Sequence, residues 1–211
     1  FEASKHKIME NYFVPIFNYL NDKLDNSNSV IYLLEKYKSR VEWFTRDELF
    51  NYYSNAEKSF EEILEKDLRL FLFDQGIDYP FSTPKSASGR ADIVGEIDTD
   101  DPIVIEIKIF DKEKRYDKNR IKEGFNQIVK YTNDYNKNVG YLVIFNMNQV
   151  EINFKFGSDT KMFPPAIHFN NKIFYFIVIN CNNTLSASKL GSIEQVDVTE
   201  AEIINNWIIG Y

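Results

Sequence analysis

Cysteine is nearly missing from this 211-residue chain: Cys181 stands alone, so no intrachain disulfide can form, and a reducing, cytoplasmic setting is expected. It lies in an apolar stretch resembling a strand end and reads as a small buried side chain. A nucleophilic role is disfavoured, because no histidine stands in a pairing pattern with it. The two histidines, His6 and His168, are far apart and lack ligand spacing, which argues against a zinc site. No apolar run approaches the roughly 20 residues that a membrane helix needs. The longest, residues 173–179, suits a buried strand, and the start carries no signal-peptide pattern, so no membrane partner is expected. Positive charge is also short, 25 Lys and Arg against 32 Asp and Glu. A net charge of −7 argues at first against nucleic acid, whose phosphates attract Lys and Arg. The first residue is Phe1 rather than Met, so the chain is expected to be a piece of a larger protein, with further domains or a second copy as partners.

Aromatic and aliphatic residues, by contrast, are plentiful. With 44% hydrophobic residues, 18 Phe and 13 Tyr, the chain can bury a sizeable core. Charged residues at 27% are an ordinary fraction, which excludes a disordered or collagen-like chain. The acidic average hides one basic stretch. Between Lys108 and Lys122 stand Lys108, Lys112, Lys114, Arg115, Lys118, Arg120 and Lys122, against only Asp111, Glu113 and Asp117. Such a local footprint suits phosphate, although a solvated charged loop explains it equally simply.

The first third reads as helical. Residues 2–24 carry apolar side chains near a 3.6 period, and Asp25, Asn26, Ser27 and Asn28 are expected to break that helix. A second helix is expected over residues 30–41. Thr45 with Glu48 resembles a capping box opening a third. Residues 56–74 then form a long helix, with Phe60, Ile63, Leu64, Leu68, Phe71 and Leu72 as its buried stripe and Gly76 as its stop. Beyond residue 76 the pattern changes to short extended runs. Residues 77–81 are extended and 85–89 form a loop. Residues 90–97 and 103–109 make a hairpin across the turn-rich 98–102. A helix at 118–136, strands at 140–145, 151–156 and 173–180, and a closing helix at 199–209 capped by Thr199 complete an α/β order.

One feature of the hairpin needs a chemical reason. Side chains alternate along a strand, so Glu106 and Lys108 project to one face while Ile105, Ile107 and Ile109 project to the other. A carboxylate and an ammonium inside an otherwise apolar strand are costly to desolvate, by several kcal/mol per ion even after relaxation. A divalent cation changes that balance. Magnesium takes oxygen ligands and keeps several waters, so Asp92, Glu106 and the Ile107 carbonyl suffice as protein ligands.

Gly89-Arg90-Ala91-Asp92-Ile93-Val94, followed by Glu106-Ile107-Lys108 on the next strand, resembles the PD-(D/E)XK nuclease superfamily. Gln127 and Tyr131 on the following helix match the Q-x-x-x-Y pattern of many bacterial members. The likeness spans roughly residues 57–146 and departs from the strict motif at Ala91, where Pro would stand. It implies a restriction-endonuclease-like mixed central sheet flanked by helices over residues 56–211, with residues 1–55 as an N-terminal helical extension. It also implies a Mg2+- or Mn2+-dependent nuclease in which Asp92 and Glu106 hold the metal, Lys108 orients water and Gln127 supports the site. Superfamily members often add a Glu from the first core helix; Glu61, Glu62 and Glu65 compete for that role, with Glu62 preferred. DNA is preferred to RNA as substrate because the likeness is to DNases, in restriction, repair or phage defence. Lys85, Arg90, Lys112, Arg115 and Arg120 are the expected backbone contacts.

Simpler readings stand beside these. Asp92 and Lys108 can form a purely structural ion pair, Arg90 can pair with a nearby carboxylate, and Tyr131 can be core packing with a satisfied hydroxyl. A catalytically silent nuclease-fold module that binds nucleic acid or protein is the functional alternative.

Overall fold

The alternation of side chains along strand 103–110 sorts the whole molecule into layers. The computed structural model describes residues 7–58, 60–77, 91–95, 103–157, 164–182 and 193–209. Helix α1 (Val14–Arg40) is entered through a π-helical turn at Met9–Phe13 and left through another at Val41–Thr45. Helices α2 (Arg46–Asn55) and α3 (Phe60–Asp74) follow, then β1 (Ile93–Gly95), β2 (Ile103–Phe110), α4 (Lys118–Asp134) and β3 (Val139–Asn146). Strands β4 (Val150–Lys155), β5 (Ala166–Phe169), β6 (Lys172–Asn180) and β7 (Glu194–Thr199) lead to helix α5 (Glu200–Ile209).

The main sheet has the order β1-β2-β3-β6-β5. Its centre, β2-β3-β6, is parallel, and both edges pair antiparallel. Strands β4 and β7 form a separate parallel pair. A parallel β2–β3 pair needs a crossover, and α4 supplies it. One face of the sheet (Ile105, Ile107, Ile109, Tyr141, Val143, Phe145, Ile177) packs against Leu34, Tyr37, Tyr53, Leu64, Leu68 and Leu72 of helices α1 to α3. The other face (Val104, Phe110, Leu142, Ile144, Phe174, Phe176) packs against Ile121, Phe125 and Ile128 of α4, with Ile203 of α5 and Val196 of β7. The protein is therefore mixed α/β, a central mixed sheet flanked by helices. Residues on both sides of position 55 share the first of these cores. Among the described residues no helix is long and apolar enough to cross a membrane.

Several expectations need correction. Helix α1 runs unbroken through Asp25–Asn28. Asp, Asn and Ser each cost a helix at most about 0.7 kcal/mol and do not block it as Pro would. Thr45 makes no side-chain cap, and its hydroxyl is buried without a partner among the described residues. The π-helical turn leads straight into α2, so the chain never enters that helix from an extended conformation. The real capping box lies at the other end of the chain. Thr199 N donates to Glu202 Oε2 (2.9 Å), and Glu202 N donates to Thr199 Oγ1 (3.2 Å). Helix α3 ends as expected at Gly76 (φ 91°), with Ile77 N on Leu72 O and Gly76 N on Phe73 O. Strands β5 and β7 were not foreseen. The expectations for residues 78–90 and 96–102, including Lys85 and Arg90, lie outside the described residues.

Phe125 is fully buried on α4, with its ring 5.3 Å from Phe174 and 5.8 Å from Phe169. Phe125→Ala should cost about 3–5 kcal/mol in chemical unfolding, whereas Trp43→Ala, at an 81% exposed position, should stay within about 0.5 kcal/mol. Equal effects of the two would contradict the layering.

Candidate active site

Strand alternation does place Glu106 and Lys108 on the α4 side of β2, between Val104 and Phe110. They are 1% and 3% exposed. Asp92 immediately precedes β1, whose last pair is Ile93 with Ile105. Its Oδ2 accepts a hydrogen bond from Ile107 N at 2.7 Å, which ties it to the same stretch of β2. Lys108 Nζ donates to Glu106 Oε1 at 2.6 Å and to Ile107 O at 2.9 Å. Glu106 Oε2 is buried and has no hydrogen-bond partner among the described residues. Two carboxylates and one ammonium thus meet around the Ile107 peptide.

The electrostatics follow from burial. Desolvation pushes the Glu106 carboxyl up to about 8, reinforced by the charge of Asp92 and opposed by Lys108. Desolvation also lifts Asp92 to about 6, against the pull of Lys108 and the Ile107 N–H, with Glu65 and Glu61 adding to the rise. Burial alone would lower Lys108. The charges of Glu106, Glu61 and Asp92 outweigh it, so the ammonium stays protonated. With both acids ionised the cluster would hold more negative than positive charge, and an added cation would relieve it.

Helix α3 brings acids to the rim, but not the one preferred from the sequence. Glu62 is exposed, while Glu61 and Glu65 are partly buried and both act on Asp92. The reason is helical spacing: Glu61 and Glu65 lie one turn apart, three residues before buried Leu64 and Leu68, and Glu62 points about 100° further out. Arg120 holds Glu61 through Nη2 at 2.6 Å and Glu123 through Nη1 at 3.0 Å. On α4, Gln127 hydrogen-bonds the Tyr131 hydroxyl, which burial and then the charges of Glu106 and Asp92 push up to about 12. Tyr131, expected as core packing with a satisfied hydroxyl, is indeed 5% exposed in the second core with its hydroxyl held by Gln127, and it also feels the carboxylates.

Helix α4 also roofs the lysine. A Cβ at Gly124 would stand 2.7 Å from Lys108 Cγ and 2.8 Å from Leu142 Cδ1. A glycine inside a helix costs about 1 kcal/mol relative to alanine, and here it allows a close approach.

The basic stretch is largely engaged within the protein. Lys112 pairs with Glu194, Lys118 with Glu202, and Arg120 with Glu61 and Glu123. Lys114 sits over the rings of Tyr53 (3.8 Å) and Phe60 (3.7 Å). Arg115 is exposed at φ 64° and, like Lys122, forms no ion pair among the described residues. Arg120 is thus engaged by two carboxylates, and the Lys112–Glu194 pair is an exposed one, which holds weakly.

Among the described residues no group of three or more His, Cys, Asp and Glu side chains is gathered to hold a metal ion. The smaller donor set still fits a hard divalent cation: two carboxylates, one with an unpartnered buried oxygen, beside a backbone carbonyl. Fold and site together define an α/β protein with a buried carboxylate–lysine centre. No protein-family model, curated protein or solved structure matches the chain.

Because Asp92 and Glu106 are both raised above their unfolded values, their contribution to stability is full below about pH 4 and is lost as pH climbs through about 6 and about 8. The metal-free protein should lose a few kcal/mol across that window, and Glu106→Gln should flatten its upper part. Melting temperatures measured from about pH 5 to 9 check this; identical profiles for the two proteins would contradict it.

Proposed function

We propose that the domain is a Mg2+- or Mn2+-dependent nuclease of the PD-(D/E)XK type, built on a restriction-endonuclease-like sheet and acting on DNA in preference to RNA. The observation that carries this reading is the meeting of Asp92, Glu106 and Lys108 around Ile107, with Glu106 Oε2 buried and without a partner among the described residues. The order of elements supports it: an antiparallel hairpin carries the acids and the lysine, and a crossover helix then leads to a parallel neighbour. With no family match, the reading rests on these residues and their placement alone.

In this reading Asp92, Glu106 and the Ile107 carbonyl hold the divalent ion. When bound, the ion would neutralise charge at the scissile phosphate. Lys108 has three N–H donors, of which two go to Glu106 and Ile107, leaving one to orient the attacking water. Tyr131 remains protonated at neutral pH and can donate to a phosphate oxygen, held in place by Gln127. Arg115, Lys122 and the exchangeable Lys112 contact the nucleic-acid backbone, which lowers affinity as salt rises.

A second reading, a nuclease-fold module without turnover, draws on one observation. Lys108 already satisfies Glu106 Oε1 and the Ile107 carbonyl, the two groups nearest the position a metal would take. An assay with labelled single- and double-stranded DNA decides between them. Asp92→Asn and Lys108→Ala should each lower magnesium-dependent cleavage at least about 100-fold, with Asp92→Asn still folded. Undiminished cutting by both variants would refute the assignment, and inactivity of the wild type on every nucleic acid would favour the silent module.

A further inference from the structure

We infer that Gly124 is a positioning residue for Lys108: its missing side chain leaves the slot in which the lysine stem lies, pressed between helix α4 and strand β2. The effect on cleavage rests on the nuclease reading; the positioning itself does not.

The geometry is specific. A Cβ built at Gly124 comes within 2.7 Å of Lys108 Cγ and 3.4 Å of Lys108 Cε. The stem therefore runs along the helix past this position rather than meeting it end-on. With the lysine 3% exposed, the helix backbone closes the route by which a long flexible side chain would swing to solvent. The stem is stretched under the roof, and the ammonium is delivered to Glu106 Oε1 and Ile107 O. Alanine is the best helix former, and glycine sits here inside α4, seven residues from its start.

The helix has little room to rise. Ile121, Phe125 and Ile128 anchor it in the core on either side of Gly124. Further along it, Ile128 and Thr132 press on Gly140 of β3, where a Cβ would meet them at 2.8 and 2.9 Å. An added methyl at 124 must then displace Lys108 or Leu142, whose Cδ1 would be 2.8 Å away. Leu142 is an apolar side chain paired across the sheet with Glu106 and carries no ionisable group, so the two responses differ in their consequences.

The test uses protein labelled with 15N-lysine, in which the Lys108 Nζ resonance is assigned by its absence from Lys108→Arg. Gly124→Ala should shift or broaden that resonance, and Leu142→Ala added to it should not restore the signal. For magnesium-dependent cleavage, Gly124→Ala should lower kcat about 10- to 100-fold, with KM within about twofold. An unchanged Lys108 resonance, or its recovery on adding Leu142→Ala, would overturn the inference. A wild type that cuts nothing would sink the nuclease reading while the resonance still decides the positioning. Should Gly124→Ala be too unstable for NMR, thermal unfolding of the double-mutant cycle replaces it. Lys108→Ala should lower the melting temperature less in the Gly124→Ala background than in the wild type, because removing the stem makes room for the methyl. Equal losses in the two backgrounds would overturn the inference.

Discussion

A lysine ammonium held dry between two carboxylates constrains everything around it. Removing such ions from water costs several kcal/mol each, and their mutual attraction recovers that only when the geometry is good. Here Lys108 bonds to Glu106 and to the Ile107 carbonyl, while Asp92 takes the Ile107 N–H. One residue of β2, Ile107, therefore joins Asp92 and the lysine through its N–H and its carbonyl. The balance is still incomplete, since Glu106 keeps an oxygen without a partner among the described residues and both acids are raised above their ordinary range. A pair selected for stability alone would be closed better than this.

The layers serve that centre from both sides. On one face of β2, isoleucines 105, 107 and 109 lock the strand against the helical first third. On the other, α4 covers the charged pair and carries Tyr131 and Gln127 at its edge. The first third does more than fill space. It supplies Glu61 and Glu65 to the rim, and Tyr53 hydrogen-bonds Asp111 where β2 ends. Lys114, seated over Tyr53 and Phe60, pins the loop between β2 and α4 to the same helices. The buried side chains from Val30 to Tyr53 and the sheet are in this sense one packing unit.

How far the sequence could be read depended on the range of the interaction concerned. The alternation that put Glu106 and Lys108 on one face is a property of a single strand, and it held residue for residue. The hairpin, α4 and the strand at β3 were legible for the same reason, since strong periodicity and turn chemistry are local; the parallel pairing of β3 with β2 is long-range and was not read. Helix α1 was misjudged at Asp25–Asn28 because weak helix formers stop a helix only when nothing else favours continuing it. Glu61, rather than the preferred Glu62, is the partly buried one of the two, a difference of about 100° around the helix that a projection against Leu64 and Leu68 shows. The partners of the basic stretch, Glu194, Glu202 and Glu61, are remote in sequence, so local charge counting could not see these pairs. Strands β5 and β7 are short, and β7 pairs only with β4, away from the main sheet.

The central claim is that the Asp92–Glu106–Lys108 cluster receives a divalent cation. Calorimetric titration of Mn2+ into the metal-free protein addresses it without presuming any substrate. The account predicts one site per chain, abolished by Asp92→Ala, with protons released as Glu106 gives up its own. No heat of binding, or a site that survives Asp92→Ala unchanged, would contradict it.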